Sequence, residues 1–170
     1  MENYPAPPPD YMNAVGLLNR REIEARMLAP LINALCAEFD RQRVLEIVRK
    51  VIQEIARQQG AQLADNMEAN DLEHFATVQE AWKKDNALQT EVLELTHEKY
   101  SFNVFRCRYA EMYYHLGIPE LGKLLSCDRD FTLIEGFNPN IQLTRTQTIM
   151  EGADLCDFCF EMAPSEKPRR

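Results

Sequence analysis

The sequence lacks the features of membrane-spanning and secreted proteins. No run approaches the roughly 20 consecutive apolar residues that cross a bilayer. Of the 170 residues, 45% are hydrophobic and 27% are charged, as in ordinary globular proteins. Residues 1–10 are rich in proline and include acidic residues, unlike the charged and then apolar start of a secretory signal. These absences predict a soluble, cytoplasmic protein.

Two kinds of phosphate-binding function are also disfavoured. The six glycines are scattered and form neither a G-x-G-x-x-G motif nor a Walker motif, so nucleotide-dependent chemistry is not expected. The formal net charge is −8, and the only basic cluster is the short segment at residues 167–170. Because a protein with this charge repels phosphate backbones, nucleic acid is not an expected partner.

The first part of the chain shows helical periodicity after a proline-rich start. Residues 1–19 are predicted to form an extended arm, because proline cannot donate a backbone hydrogen bond. From residue 20 to 59, apolar side chains recur at helical spacing. This pattern predicts one long helix or a bent pair, broken near Pro30 and ended by Gly60. An exposed face of this helix would allow a homo-oligomer, although packing on its own sheet is the simpler interpretation.

One more helix is predicted before the pattern becomes extended near residue 89. It covers residues 70–88, with Asn70 or Asp71 as its N-cap. Beyond it, alternation of apolar and polar residues predicts an antiparallel hairpin. The elements predicted from there on are strands at 91–96 and 100–105, helices at 108–116 and 119–125, and strands at 141–150 and 156–160.

These elements predict a single α+β domain over residues 20–163, followed by a tail at 164–170. Its helical part spans residues 20–88 and its α+β part spans 89–163. The predicted architecture is a layer of N-terminal helices packed on a small antiparallel sheet of about four strands.

The five cysteines are odd in number and widely spread, so they predict free thiols in a reducing compartment rather than a disulfide framework. Cys107 lies between Arg106 and Arg108. Neighbouring cations lower the pKa of a thiol and supply nucleophilic thiolate, which makes Cys107 the strongest nucleophile candidate on local charge. A buried cysteine at the end of a strand is the alternative interpretation.

The spacing of Cys156 and Cys159 matches C-x-x-C, which can hold zinc or form a redox pair. On a strand, however, residues three apart point to opposite faces, so the pair alone is a weak metal motif. A zinc site built from Cys107, Cys127 and Cys156 remains an alternative. We otherwise assign no metal and no cofactor to the chain.

Six ordered blocks in the second half resemble the L-2-amino-thiazoline-4-carboxylic acid hydrolase family. They lie at residues 105–113, 116–122, 125–131, 135–139, 143–152 and 156–158. The resemblance is clear over residues 100–160, and the helical first half matches only in general character. It implies hydrolytic opening of a cyclic isothiourea to N-carbamoyl-L-cysteine, with a small molecule as the substrate.

That reaction needs a nucleophile, a carboxylate to hold an amidinium, and a cation to bind the substrate carboxylate. The blocks supply all three types of group. The catalytic candidates are Cys107, Cys127, Cys156, Asp130 and Asp157, and the substrate-binding candidates are Arg145, Glu135 and Glu151. Arg145 is favoured for the substrate carboxylate because its planar fork can donate two hydrogen bonds at once.

Two mechanisms are compatible with these residues. In the favoured one, a thiolate adds to the amidine carbon, the ring sulfur leaves, and water then releases the product from the enzyme. In the other, a carboxylate or a metal activates water, and the cysteines are structural residues or ligands. The site is predicted at strand ends and in a loop at residues 125–139. A noncatalytic module that binds a small molecule or zinc and acts as a sensor is the alternative function.

Overall fold

The computed structural model describes residues 15–163, and these form helices packed on one antiparallel sheet. The helices are α1 (Leu17–Glu38), α2 (Arg41–Asp65), α3 (Leu72–Lys83), α4 (Arg108–His115), α5 (Pro119–Gly122) and α6 (Arg129–Phe137). The strands are β1 (Leu88–Leu95), β2 (Lys99–Cys107), β3 (Ile141–Thr144) and β4 (Cys156–Met162). The α+β fold with N-terminal helices on a four-stranded antiparallel sheet is therefore confirmed.

The sheet has the strand order β1-β2-β4-β3 and its central pair carries the aromatic core. Phe102 lies opposite Phe158 and the two rings stack, with 4.8 Å between centroids. Phe75 of α3 packs on the sheet through Phe160, at a centroid distance of 5.0 Å. The predicted hairpin is confirmed, because β1 and β2 pair antiparallel. Side chains alternate along β2, so that Tyr100, Phe102 and Val104 face this core.

The helical half departs from the sequence-based boundaries at both of its predicted breaks. Pro30 lies exposed inside α1, whose neighbouring residues Ala29 and Ile32 are buried, so packing outweighs the lost backbone bond and the predicted break there is wrong. The chain instead turns after Glu38, and the Asp40 side chain accepts a 2.8 Å bond from the Arg43 N–H to cap α2.

Gly60 does not end α2, which continues to Asp65. Its role is close packing: a Cβ at this position would lie 2.0 Å from the Leu133 carbonyl oxygen of α6. On the other helix, a Cβ at Gly136 would lie 2.0 Å from the Arg57 carbonyl oxygen of α2. The two glycines therefore let α2 and α6 approach through their backbones, a use of glycine that a helix-end signal does not distinguish.

The structure describes the two ends of the chain only in part. Leu17 already belongs to α1, so residues 17–19 of the predicted extended arm are helical. The rest of the arm up to residue 14, and the predicted tail at 164–170, lie outside the described residues. Within residues 15–163, no helix is both long and apolar enough to cross a membrane.

The remaining elements match the sequence in part. The Asp71 side chain caps α3 as predicted, accepting a 2.9 Å bond from the His74 N–H, but α3 ends at Lys83, before the predicted end at Leu88. The predicted strand at 141–150 is regular only to Thr144. The predicted loop at 125–139 is wrong: a π-helical turn (Lys123–Cys127) leads directly into α6, which buries Ile134 and Phe137 three residues apart.

Several apolar side chains of α1 are exposed and lie in one row, at intervals of four residues. They are Ile23 (59% exposed), Met27 (71%), Leu31 (56%) and Leu35 (37%). A surface helix ordinarily carries charged and polar side chains on its exposed face, so packing within one chain does not account for this apolar row. The homo-oligomer suggested by the sequence stays a prediction.

Candidate active site

A cavity lies between the start of α1, the strands β2 and β4, and the start of α6. The centres of water molecules can occupy about 100 Å³ of it. Since one water needs roughly 10–15 Å³ on this measure, the space suits a small molecule. Its walls are Leu17, Arg21, Trp82, Leu88, Val104, Cys107, Tyr109, Ser126, Cys127, Arg129, Asp130, Leu133, Arg145, Cys156 and Phe158.

Five of the residues predicted for the site meet in this cavity, because the ends of several elements converge there. Cys107 ends β2, Cys127 ends the π-helical turn and Cys156 begins β4. Asp130 lies in the first turn of α6, and Arg145 follows directly after β3. The fold thus brings three thiols, a carboxylate and a guanidinium to one apolar-walled space.

Arg145 and Asp130 form an ion pair inside the cavity wall. The Nη1 of Arg145 donates to Asp130 at 2.6 Å, and its Nη2 donates to the Cys127 carbonyl oxygen at 3.0 Å. The guanidinium also lies over the rings of Phe131 and Phe158, at 5.1 and 4.9 Å from their centroids. Burial raises the pKa of the Asp130 carboxyl, and the adjacent Arg145 opposes that rise.

The three thiols of the cavity are held in their neutral form by burial. Burial raises the pKa of the Cys107 thiol to about 11, although its Sγ accepts a 3.4 Å bond from the Ala110 N–H at the start of α4. Burial also raises the pKa of Cys127 and of Cys156. Cys156 nevertheless accepts a 3.2 Å bond from the Ile149 N–H.

The arginines on either side of Cys107 do not act on its thiol as the sequence suggested. Arg106 donates to Glu111 at 2.7 Å, and the Nη1 of Arg108 donates to the Asp85 carbonyl oxygen at 2.8 Å. Because both guanidiniums are occupied outside the cavity, the predicted lowering of the Cys107 pKa is wrong. The groups that lower the pKa of this thiol are instead the backbone N–H groups of Tyr109 and Ala110 at the N-terminus of α4, and their effect is smaller than that of burial.

A family model described as L-2-amino-thiazoline-4-carboxylic acid hydrolase matches residues 20–160, which include all of the cavity-lining residues except Leu17. The chain belongs to this hydrolase family. The match extends through α1 and α2, so the helical half belongs to the family domain as well. A search of curated proteins finds no match to the chain.

Among solved structures, a similar one is a trafficking protein particle complex subunit 3 from Naegleria fowleri, covalently bound to palmitic acid. The two chains superpose with a TM-score of 0.54 and share 12% sequence identity. The alignment covers 85% of this chain and 96% of the other. At this identity the likeness describes the fold of the hydrolase family member and not its activity.

Three residues predicted for the hydrolase site lie outside the cavity wall. Glu135 pairs with Arg57 at 3.0 Å on the outer side of α6. Glu151 accepts from Lys123 at 2.7 Å and from the Thr148 hydroxyl at 2.9 Å. The structure therefore gives these two carboxylates other partners and does not bring them to the thiols.

Asp157 is the third such residue, and it orders the segment that carries Arg145. Its carboxylate accepts from the Thr146 N–H at 3.0 Å, from the Thr146 hydroxyl at 2.6 Å and from the Gln147 N–H at 2.9 Å. Since Thr146 follows Arg145 directly, Asp157 positions the guanidinium that pairs with Asp130. It is a positioning residue in this geometry.

The sequence interpretation missed two cavity residues, Arg21 and Arg129, which are 8% and 5% exposed. Arg21 falls in the buried row of α1 that also contains Leu18, Ala25 and Ala29. A charged residue inside an apolar helical row is an available signal of a functional position. For Arg129 the signal was its place in the same family block as Cys127 and Asp130.

The zinc alternative finds no assembled ligand set in the part of the chain that the structure describes. There, no three His, Cys, Asp or Glu side chains are arranged to hold a metal ion. Cys156 is buried and lines the cavity, whereas Cys159, three residues along β4, does not line it, as the alternation of a strand predicts. The expectation of no metal or cofactor stays a prediction, and zinc stays the alternative to it.

Proposed function

We propose that the protein opens the ring of L-2-amino-thiazoline-4-carboxylate, or of a closely related small cyclic amidine. The product is N-carbamoyl-L-cysteine. The observation that carries this proposal is the meeting of Cys107, Cys127, Cys156, Asp130 and buried guanidiniums around one small cavity, in a chain of this hydrolase family.

The reaction begins with a proton transfer that the substrate itself supports. The three histidines of the chain do not line the cavity, so an imidazole base for the thiol is absent from its described wall. The ring nitrogen of a neutral amidine can take the proton of the Cys107 thiol, which creates the thiolate and the electrophilic amidinium together. Each new charge then stabilises the other in the buried site.

Cys107 is the preferred nucleophile because it is the N-cap of α4. Its Sγ already accepts the Ala110 N–H, and the N-terminus of a helix stabilises negative charge. The thiolate adds to the amidine carbon, and the bond from that carbon to the ring sulfur breaks. The ring sulfur leaves as a thiolate and takes up a proton, which leaves an isothiourea bonded to Cys107.

Water completes the reaction. It adds to the same carbon, the bond to the Cys107 sulfur breaks, and the thiol recovers its proton. The net change is the addition of one water and the formation of a urea, without oxidation or reduction. Asp130 accepts hydrogen bonds from the amidinium through both steps, while Arg145 holds this carboxylate in place.

A direct attack by water differs in one measurable respect. If Asp130 activates water, no covalent intermediate forms and the cysteines contribute only to the cavity wall. An intact-mass measurement during turnover separates the two routes. We expect an increase of one substrate mass, located on Cys107.

Acylation of a cavity thiol is a second candidate function, since the similar solved structure is covalently bound to palmitic acid. Two properties of the cavity disfavour a long acyl chain. Its volume is of the order of several water molecules, and three guanidiniums line its wall beside the apolar residues. Charged groups of this kind lose solvation without compensation beside a hydrocarbon.

The test is turnover of L-2-amino-thiazoline-4-carboxylate by the purified protein, followed by mass spectrometry of N-carbamoyl-L-cysteine. Cys107→Ala should abolish turnover while the protein stays folded, whereas Cys159→Ala, the matched control, should retain it. Metal content is determined on the same sample. Absence of product with wild-type protein, together with stoichiometric zinc, would favour the noncatalytic zinc-binding module.

A further inference from the structure

The charged side chains of the cavity are unequal in number. Three guanidiniums, from Arg21, Arg129 and Arg145, line it together with a single carboxylate, that of Asp130, among the described residues. Arg145 already pairs with Asp130 at 2.6 Å. The wall therefore contains two further cations for which it offers no carboxylate of its own.

Arg129 is the more deeply buried of these two cations. It is 5% exposed, and its Nη2 donates to the neutral Gln59 Oε1 at 2.5 Å. Within residues 15–163, no carboxylate oxygen lies within 4.0 Å of a guanidinium nitrogen of Arg129, the distance that defines an ion pair. Burial, and after it the neighbouring Arg21 cation, lowers the pKa of Arg129 to about 10, and the more distant charges of Glu24 and Asp130 only partly oppose this decrease.

Arg21 is better compensated. Its Nη1 donates to Glu24 at 2.6 Å, and the Glu24 side chain is 44% exposed and thus solvated. Arg21 can contribute a second, weaker attraction for an anion in the cavity, since within residues 15–163 its guanidinium forms an ion pair only with Glu24, through Nη1.

A buried cation is costly unless it is paired, and proteins retain such groups where a ligand supplies the partner. A guanidinium has five N–H donors in a planar fork, which matches the two oxygens of a carboxylate. We propose that Arg129 binds the carboxylate of the substrate and thereby selects ring amidines that carry an anionic group. This inference rests on the proposed function.

The position of Arg129 relative to Asp130 fits a substrate that carries both charges. The two residues are consecutive in the first turn of α6, and both side chains line the cavity. In L-2-amino-thiazoline-4-carboxylate, the ring nitrogen of the amidine and the carboxylate are attached to the same carbon. Neighbouring opposite charges in the substrate thus meet neighbouring opposite charges in the protein.

This assignment replaces the role that the sequence suggested for Arg145. The fork of Arg145 is taken up by Asp130 and by the Cys127 carbonyl oxygen, and the rings of Phe131 and Phe158 cover its faces. Arg145 is then a positioning residue for Asp130. The specificity for an anionic substrate lies with Arg129.

The experiment compares two substrates that differ only in the carboxylate, L-2-amino-thiazoline-4-carboxylate and 2-amino-2-thiazoline. Wild-type protein should prefer the first by about 100-fold in kcat/KM, the size expected for a buried charge-assisted pair. In Arg129→Met, kcat/KM for the first should fall by about 100-fold, while that for the second stays within about threefold. Arg129→Lys should keep part of the preference, because it retains the charge but not the fork.

Folding and function are separated by two further measurements. Arg57→Met, which removes an arginine paired with Glu135 outside the cavity, should leave the preference unchanged. The unfolding temperature of Arg129→Met should equal or exceed that of wild type, because the variant loses a buried cation without a carboxylate partner. A structural role for Arg129 would instead lower the unfolding temperature and reduce turnover of both substrates equally, and this result would overturn the inference.

The outcome stays decisive if the proposed function fails. Should wild type open neither ring, calorimetric titration with N-carbamoyl-L-cysteine and with N-carbamoylcysteamine, which lacks the carboxylate, replaces turnover. Tighter binding of the first, lost in Arg129→Met, supports the anion site without the reaction. Equal binding of both compounds, or binding of neither, overturns it.

Discussion

Removal of the Arg145 guanidinium is the sharpest test of the cavity's electrostatics. The Arg145 side chain is 4% exposed, that of Asp130 is 21% exposed, and the two are paired at 2.6 Å. In Arg145→Met the Asp130 carboxylate stays in the cavity wall without this partner. Breaking such a pair from one side leaves an uncompensated charge and costs about 3–5 kcal/mol of unfolding free energy. For a chain of this size, that corresponds to a decrease in Tm of about 6–20 °C.

The deficit should depend on pH in a defined direction. Burial already raises the pKa of Asp130 and Arg145 opposes it, so the variant raises that pKa further. A carboxyl whose pKa is higher in the folded than in the unfolded state costs no stability below its unfolded pKa of about 3.9, and the cost grows as pH rises toward the folded pKa. The loss of unfolding free energy in Arg145→Met relative to wild type should therefore be greatest near neutral pH and decrease toward about pH 4.

The assay is denaturant unfolding of both proteins between pH 4 and 8. Arg26→Met is the control, because Arg26 and Glu22 form an exposed pair (57% and 38% exposed) that contributes about 0.3–0.5 kcal/mol. The double variant Asp130→Asn/Arg145→Met should regain part of the lost stability. A pH-independent deficit, or one no larger than that of Arg26→Met, would refute the ion-pair argument.

Three shorter predictions concern other parts of the site and fold. Because the pKa of Cys107 is about 11, its alkylation by iodoacetamide at pH 7.5 should be about 300-fold slower than that of a thiol with pKa of about 8.5. Peptide mapping by mass spectrometry measures this rate, and an inflection below pH 9 would contradict it. Gly60→Ala should cost about 1–3 kcal/mol in denaturant unfolding, since its Cβ would meet the Leu133 carbonyl oxygen at 2.0 Å; a change below about 0.5 kcal/mol would show that α2 and α6 separate easily. Asp157→Ala should reduce kcat/KM with little change in Tm, because it releases the Thr146 backbone next to Arg145. An unchanged kcat/KM would contradict the positioning role of Asp157.

The parts of the fold that could be predicted are those set by local chemistry. The Asp71 cap, the proline at the start of α5 and the alternation of the hairpin each act through neighbours in the chain. Pro30 and Gly60 also carry strong local signals, and both predictions were wrong. In these cases tertiary packing decided the outcome, through the buried face of α1 and through the close approach of α2 to α6.

The site was predictable to the same extent. Cys107, Cys127, Cys156, Asp130 and Arg145 lie in family blocks, so the sequence could assemble them as an inventory. The state of the Cys107 thiol could not be predicted, because it depends on burial rather than on Arg106 and Arg108. The contribution of Arg21 was equally hidden, since its approach to Arg129 is a product of the folded chain.

The cavity walls draw on both ends of the described chain, from Arg21 of α1 to Phe158 of β4. A ligand that contacts both ends should bind only the fully folded chain, and not partly unfolded states in which either end has lost its native packing. By thermodynamic linkage, a ligand present at 100 times its Kd should add about 2.7 kcal/mol to global stability. Slowed amide exchange should then extend through the whole domain rather than the cavity alone, so the melting curve of the protein can serve as a screen for its substrate.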